Sequence, residues 1–302
     1  MKLNIEQNRS QGDPYVIKAN GIYYMYSTHS EGVHLYSSKD KMNWDYRGIV
    51  FTKIDEKEYW APAVIEIDNK FYMYVSTMGI NETDTHKQRI LVAVSDKPDD
   101  EFKFIKYILE PFSIDPHVVK SGKDLYIFYS LNDYDAPRAG TLIVVDKMKS
   151  PIEVEGHPKV VVRATLDEEI FMRDRFKKGQ HWHTIEGAYY FRKDDYHYVL
   201  YSGNCFNSEN YYIGYAVAKG DTDNLLELDF KKYPNDYTYH PLLRKNDEEE
   251  GTGHNSMIIE DGHYYIIYHG RDYNAFQKNK DVRTARICEI AVNKEELKVI
   301  KR

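Results

Sequence analysis

Short runs of alternating apolar and polar residues, broken by Gly, Asn or Asp, recur along the whole chain. Five of them read almost as one sentence: DPYVIKANGIYYMYS (13–27), APAVIEIDNKFYMYVS (61–76), DPHVVKSGKDLYIFYS (115–130), EGAYYFRKDDYHYVLYS (186–202) and HNSMIIEDGHYYIIYHG (254–270). Each opens on a polar or Pro-containing entry, continues as a short apolar strand, turns, and returns as an aromatic strand. Period-two alternation with turns of this composition predicts antiparallel hairpins.

The heads of these repeats fall at 13, 61, 115, 186 and 254, about 50 to 70 residues apart. That interval holds about four strands, the content of one propeller blade. The intervening text supplies outer strands, as in GVHLYSSKDKMNWDYRG, RILVAVSDKPDDEFKFI, GTLIVVDKMKSPIEV and YYIGYAVAKGDTDNLLEL. Long helical periodicity is absent, and only 219–230 has room for a helical turn. Repeats of this size account for nearly all of the chain, with no Pro/Gly/Ser-rich linker between them. The pattern predicts an all-β fold, a single five-bladed β-propeller spanning residues 1–302. In such a fold the innermost strands surround the axis, so the five heads share the rim of one funnel.

Composition narrows the choice of ligand. The chain has 28 Tyr against 12 Phe and 3 Trp, which favours strands with a wet, ring-lined end. Its net charge is −7, from 41 basic and 48 acidic residues of interspersed sign, so nucleic acid is not an expected partner. No apolar run approaches the ~20 residues of a membrane span, and the first residues show no apolar h-region. Cys205 and Cys288 lie far apart without a metal-like spacing and are expected to be free thiols. A cytoplasmic protein acting on a neutral polar ligand is expected.

Three of the five heads carry an acid: Asp13, Asp115 and Glu186. Three carboxyl groups at equivalent blade positions would meet in one Tyr- and Trp-rich cleft. Glycoside cleavage needs one protonated carboxyl for the leaving oxygen and one ionised carboxylate to activate water. A third can tune the donor by repulsion. The same residues also suit ordinary turn chemistry, since Asp-Pro and a hairpin-capping Glu need no catalytic role.

The ordered set DPYVIKANGIYYMYST, SSKDKMNW, YWAPAVIEIDNKFYMYVST, IDPHVVKSGKDLYIFYS, IEGAYYF, YYIGYAVAKG and GHNSMIIEDGHYYIIYHGR resembles the motifs of glycoside hydrolase family 43 over nearly the whole chain. That family consists of five-bladed propellers that include β-xylosidases, α-L-arabinofuranosidases and arabinanases. The resemblance implies an inverting reaction in which Asp13 is the general base, Glu186 the general acid and Asp115 the group that tunes and orients the donor. It further places Trp60 against the sugar and assigns an Arg to the deepest subsite, with Arg283 preferred to Arg271. It also puts His254 on the axis beside a calcium ion held mostly through water; no organic cofactor is implied. His181 and His183 of HWH fall on one strand face without a further ligand nearby and are expected to line the pocket beside the acid. Trp44 is expected to be structural, and the acidic run 247–250 a solvated loop.

Two heads depart from the family's text, APA at 61–63 and EGA at 186–188. The chain ends with its fifth repeat, whereas many β-xylosidases of the family carry a further β-sandwich. The resulting expectation is an exo-acting enzyme releasing α-L-arabinofuranose from oligosaccharides. The alternatives are a β-xylosidase and a sugar-binding propeller without catalysis.

Overall fold

A computed structural model of the chain describes residues 1–5, 9–278 and 282–302. Strands dominate it, and the helical elements are single 3-10 turns, one of them at Leu225–Glu227 within the expected segment.

The strands group into five blades. The first is Gly12–Ala19, Ile22–Thr28, Val33–Ser38 and Asp45–Phe51; the second is Glu56–Ile67, Lys70–Gly79, Arg89–Ser95 and Lys103–Tyr107. The third contains Ile114–Ser121, Asp124–Asp133 and Gly140–Ser150, with an outer edge split between Glu153–Val154 and Lys159–Val162. The fourth is Trp182–Lys193, Tyr196–Gly203, Tyr212–Lys219 and Lys231–Lys232; the fifth is Glu249–Glu260, His263–Asp272, Thr284–Asn293 and Glu296–Lys301. Within each blade the strands run antiparallel. A two-residue parallel bridge, Gly140–His183 and Thr141–Thr184, joins the third blade to the fourth.

The inner hairpins turn where the sequence places Asn-Gly, Asp-Asn and Asp-Gly. Asn20 and Gly21, Asp68 and Asn69, and Asp261 and Gly262 all have positive φ. This is the paired left-handed geometry that suits the strand twist.

One apolar cluster fills each interface between successive blades. The set includes the closing interface, where Leu3, Val16, Tyr36 and Trp44 meet Ile258, Ile267 and Ile287. Much of the tyrosine is spent on these seams. Tyr26, Tyr74, Tyr126 and Tyr198 lie on the second strands of successive blades. Their hydroxyls donate to Pro98 O, Pro151 O, Asn224 Oδ1 and Lys294 O, each in the next blade. A buried ring supplies apolar area while its hydroxyl ties one blade to the next.

Candidate active site

Every innermost strand carries a register shift near its head: between Gly12 and Tyr15, Trp60 and Ala63, Ile114 and His117, Glu186 and Tyr189, and Gly253 and Asn255. At each shift one residue is left-handed: Asp13 (φ 52°), Ala61 (47°), Asp115 (58°), Gly187 (65°) and His254 (43°). A bulge sets two consecutive residues against one partner and re-aims their side chains. Each head therefore offers two neighbouring positions to the axis instead of one.

The three acids do not occupy one equivalent position. Asp13 and Asp115 are the left-handed members of their bulges, whereas Glu186 precedes the left-handed Gly187 and corresponds to Trp60 and Ile114. The expected equivalence is corrected by one residue, and the bulge explains why all three still converge.

The backbone N–H at four of these left-handed positions is taken up by a side chain of the preceding blade. Asp13 N donates to His269 Nδ1 at 3.1 Å, and Ala61 N to Thr28 Oγ1 at 2.8 Å. Gly187 N donates to Asp115 Oδ2 at 3.1 Å, and His254 N to Ser202 Oγ at 2.7 Å. Non-glycine residues in this region cost about 1–3 kcal/mol each, and the interblade hydrogen bonds hold them there.

The acids line a cavity of about 430 Å³ together with Trp60, Trp182, Tyr211, Phe206, His254 and Arg283. A more open hollow of about 560 Å³, lined by Asp167, Arg173 and Arg244 among others, contains none of the acids.

Asp13 is surrounded by donors. Arg283 Nη1 donates to both of its oxygens at 3.0 and 3.2 Å, Thr28 Oγ1 donates at 2.5 Å, and His254 Nδ1 lies 3.5 Å away. Burial opposes its charge. The Arg283 guanidinium nevertheless holds its carboxyl well below the usual range. His269, which accepts the Asp13 N–H, is itself pushed down by burial to about 3 and stays neutral.

Glu186 behaves in the opposite way. Enclosure raises it to about 7; the Tyr211 hydroxyl, donating at 2.7 Å, pulls down, and the Asp13 charge pushes up. Asp115 is raised well above its ordinary value by burial, then by Glu186 and Asp13, against the Gly187 N–H. Asp115 and Glu186 are therefore both drawn toward the neutral form while Asp13 carries charge.

Two glycines make room for these partners. A Cβ on Gly12 would lie 2.3 Å from Arg283 Cζ, and one on Gly253 would lie 1.8 Å from Tyr211 Cε1. Neither Tyr211, Thr28 nor His269 was expected from the sequence, because each reaches its acid from another strand or blade. Trp182 and Phe206 were also missed, and their exposure to the cavity is not written in their local text.

The remaining expected residues separate cleanly. Trp60 lines the cavity and is fixed by its Nε1–H donating to Glu58 Oε2 at 3.0 Å. Trp44 is buried in the seam of the fifth and first blades. Arg283 reaches the cavity, but Arg271 is fully buried, donating to Phe206 O at 3.0 Å with its guanidinium 4.4 Å from the Phe276 ring. His183 points away from the cavity, to Ala139 O at 3.2 Å and Arg138 Nη1 at 3.1 Å. Strand alternation explains this correction, since Trp182, Thr184 and Glu186 take the cavity side.

The acidic run is also corrected, because Glu249 and Glu250 are buried and hydrogen-bonded. His254 lines the cavity next to Asp13, but no cluster of three or more His, Cys, Asp or Glu suited to a metal occurs among the described residues. Calcium prefers several oxygen ligands, and the nearest carboxylate is already engaged by a guanidinium. The residues around His254 do not fit a directly ligated calcium.

A propeller whose axial cavity holds one ionised carboxylate and two carboxyl groups drawn toward the neutral form, among aromatic rings, defines a glycoside hydrolase. The family model for glycosyl hydrolases family 43 matches residues 7–296, and the chain belongs to that family. The extracellular exo-α-(1→5)-L-arabinofuranosidase ArbA of Cellvibrio japonicus is 24% identical over 298 residues, 89% of this chain and 81% of that protein. Among solved structures, a thermostable family-43 glycoside hydrolase superposes with a TM-score of 0.81 at 27% identity, covering 100% of this chain and 96% of the other. The α-L-arabinofuranosidase of Lactobacillus brevis gives 0.78 at 21% identity, covering 96% and 94%. No helix among the described residues is long and apolar enough to cross a membrane.

Proposed function

We propose that this glycoside hydrolase is exo-acting and inverting, and that it removes terminal α-L-arabinofuranose from arabinan- or arabinoxylan-derived oligosaccharides. The observation that carries the chemistry is the split between two carboxyl groups in one cavity. Asp13 is held ionised beside Arg283, while Glu186 is raised to about 7. Pairs of carboxyl groups driven apart by their surroundings are the mark of an acid and a base.

In this reading Glu186 gives its proton to the glycosidic oxygen as the bond to the anomeric carbon breaks. Asp13 accepts a proton from the water that attacks the opposite face of that carbon. Turnover leaves Glu186 ionised and Asp13 protonated, and exchange with solvent restores both. Asp115 accepts the Gly187 N–H, which fixes the backbone next to Glu186. Trp60 offers an apolar wall to the sugar.

The substrate choice is supported by the arabinofuranosidase relative. The two unpaired thiols, Cys205 and Cys288, suit a cytoplasmic location in which the enzyme trims imported fragments.

The test uses p-nitrophenyl α-L-arabinofuranoside and β-D-xyloside with the wild-type, Asp13→Asn and Glu186→Gln proteins. The arabinoside is expected to be cleaved faster, and each variant to lose at least ~10²–10⁴-fold in turnover. NMR of the first-formed sugar is expected to show inverted configuration. Retention, or near wild-type rates in either variant on a natural oligosaccharide, would overturn the roles given to Asp13 and Glu186.

A further inference from the structure

The segment between the third and fourth blades contains a loop that organises itself. Gly179 N donates to Asp174 Oδ1 at 2.6 Å, Arg175 N to Gln180 O at 3.0 Å, and Asp174 N to His181 Nδ1 at 3.1 Å. From this loop the Arg175 guanidinium lies 4.6 Å from the centre of the Trp182 ring and 5.4 Å from that of Phe176. Its Nη2 donates at 3.0 Å to Nε2 of His86, a residue of the second blade 89 positions earlier.

The His86 end is equally prepared. It sits in the 3-10 turn Thr85–Lys87, capped by Asp84, which accepts from His86 N at 3.0 Å and from Nδ1 at 2.7 Å. A carboxylate can only accept, so the proton sits on Nδ1 and Nε2 is left bare for a cation. Asp84, His86 and Arg175 thus form a chain from anion to cation through the two ring nitrogens.

Both His86 and Arg175 line the catalytic cavity, as do their neighbours Phe112 and Trp182. The contact therefore passes from the second blade to the connection beyond the third, over the rim that the third blade would otherwise leave open. We propose that this Arg175–His86 strap makes the cavity blind on the third-blade side, so that an oligosaccharide enters only by its end. The proposal rests on the cavity being the glycosidase site described above. It names the contact that determines exo action.

The experiment follows early products from a linear α-1,5-linked arabino-oligosaccharide labelled at its reducing end. Wild-type enzyme is expected to shorten the label one sugar at a time. Arg175→Ala and His86→Ala are each expected to produce, in the first turnovers, labelled products shortened by two or more sugars, at least tenfold above wild type. Arg175→Lys, which can still donate to His86 Nε2, is expected to restore single-sugar release. Circular dichroism confirms that each variant is folded. Single-sugar release by both alanine variants, or internal cleavage by the wild type, would overturn the strap. An enzyme that cleaves no pentoside would instead overturn the reading on which the strap rests.

Discussion

At the scale of single residues, the chemistry depends on where two protons reside. Glu186 is raised to about 7 by its enclosure, with the Tyr211 hydroxyl pulling it down and the Asp13 charge pushing it up. The Tyr211 hydroxyl stabilises the ionised form, so Tyr211→Phe should raise the donor's pKa and move the alkaline limb of the kcat/KM profile to higher pH. Asp115 is raised well above its ordinary value by burial and by the charges of Glu186 and Asp13, so it keeps its proton while Glu186 titrates, and Asp115→Asn should leave that limb in place. Rate profiles of the two variants test both expectations together. A limb moved downward by Asp115→Asn would mean instead that Asp115 is charged while Glu186 titrates and raises it by repulsion. Asp13, Asp115, Glu186 and Trp60 were legible in the sequence because they head recognisable strands. Tyr211 and His269 were not, because hydrogen bonds between blades leave no local periodicity.

At the scale of elements, alternation predicted the strands and Asn-Gly or Asp-Gly the turns, but a bulge breaks the period the alternation relies on. This is why Glu186 was set one position from its true place; His183 lies before the bulge, where plain alternation with Glu186 gives the cavity side to Trp182 and Thr184. The connection of residues 163–181 carried no pattern of its own, yet it delivers Phe171 and Arg175 to the cavity. Its base is fixed by a buried ion pair. Glu169 accepts from Lys232 on the fourth blade's outer strand, from Thr165 N at 2.6 Å, from Leu166 N at 2.9 Å and from the Tyr212 hydroxyl at 3.2 Å. The side chains of Lys232 and Glu169 are 3% and 0% exposed. Lys232→Met should cost about 3–5 kcal/mol, because it strands a buried charge, and Glu169→Gln added to it should recover part of the loss. Urea unfolding of the two variants measures this; equal stability of wild type and Lys232→Met would show that water already reaches Glu169.

At the scale of the molecule, a propeller is a ring, and its last blade must be held to its first. Here the chain's first residues form the seam. Ile287 N donates to Met1 O at 2.8 Å and Leu3 N to Ala285 O at 3.2 Å. On the other side Asn4 N donates to Met42 O and Trp44 N to Asn4 O, both at 2.9 Å. Leu3, 1% exposed, sits in the apolar cluster between the fifth and first blades. Five such clusters were predictable from five repeats, but not which segment would close the ring. Leu3→Ala should lose about 2–5 kcal/mol, as should Ile127→Ala in the seam of the second and third blades. The two variants should differ in catalysis, because Asp13 and Arg283 face each other across the closing seam. Loosening that seam draws the guanidinium away from the carboxylate, and Asp13 then rises toward its ordinary value. The acid limb of the Leu3→Ala rate profile should therefore move to higher pH, while that of Ile127→Ala stays where it was. Equal acid limbs at equal loss of stability would show that the Asp13–Arg283 pair is held by its own blades and not by closure of the ring.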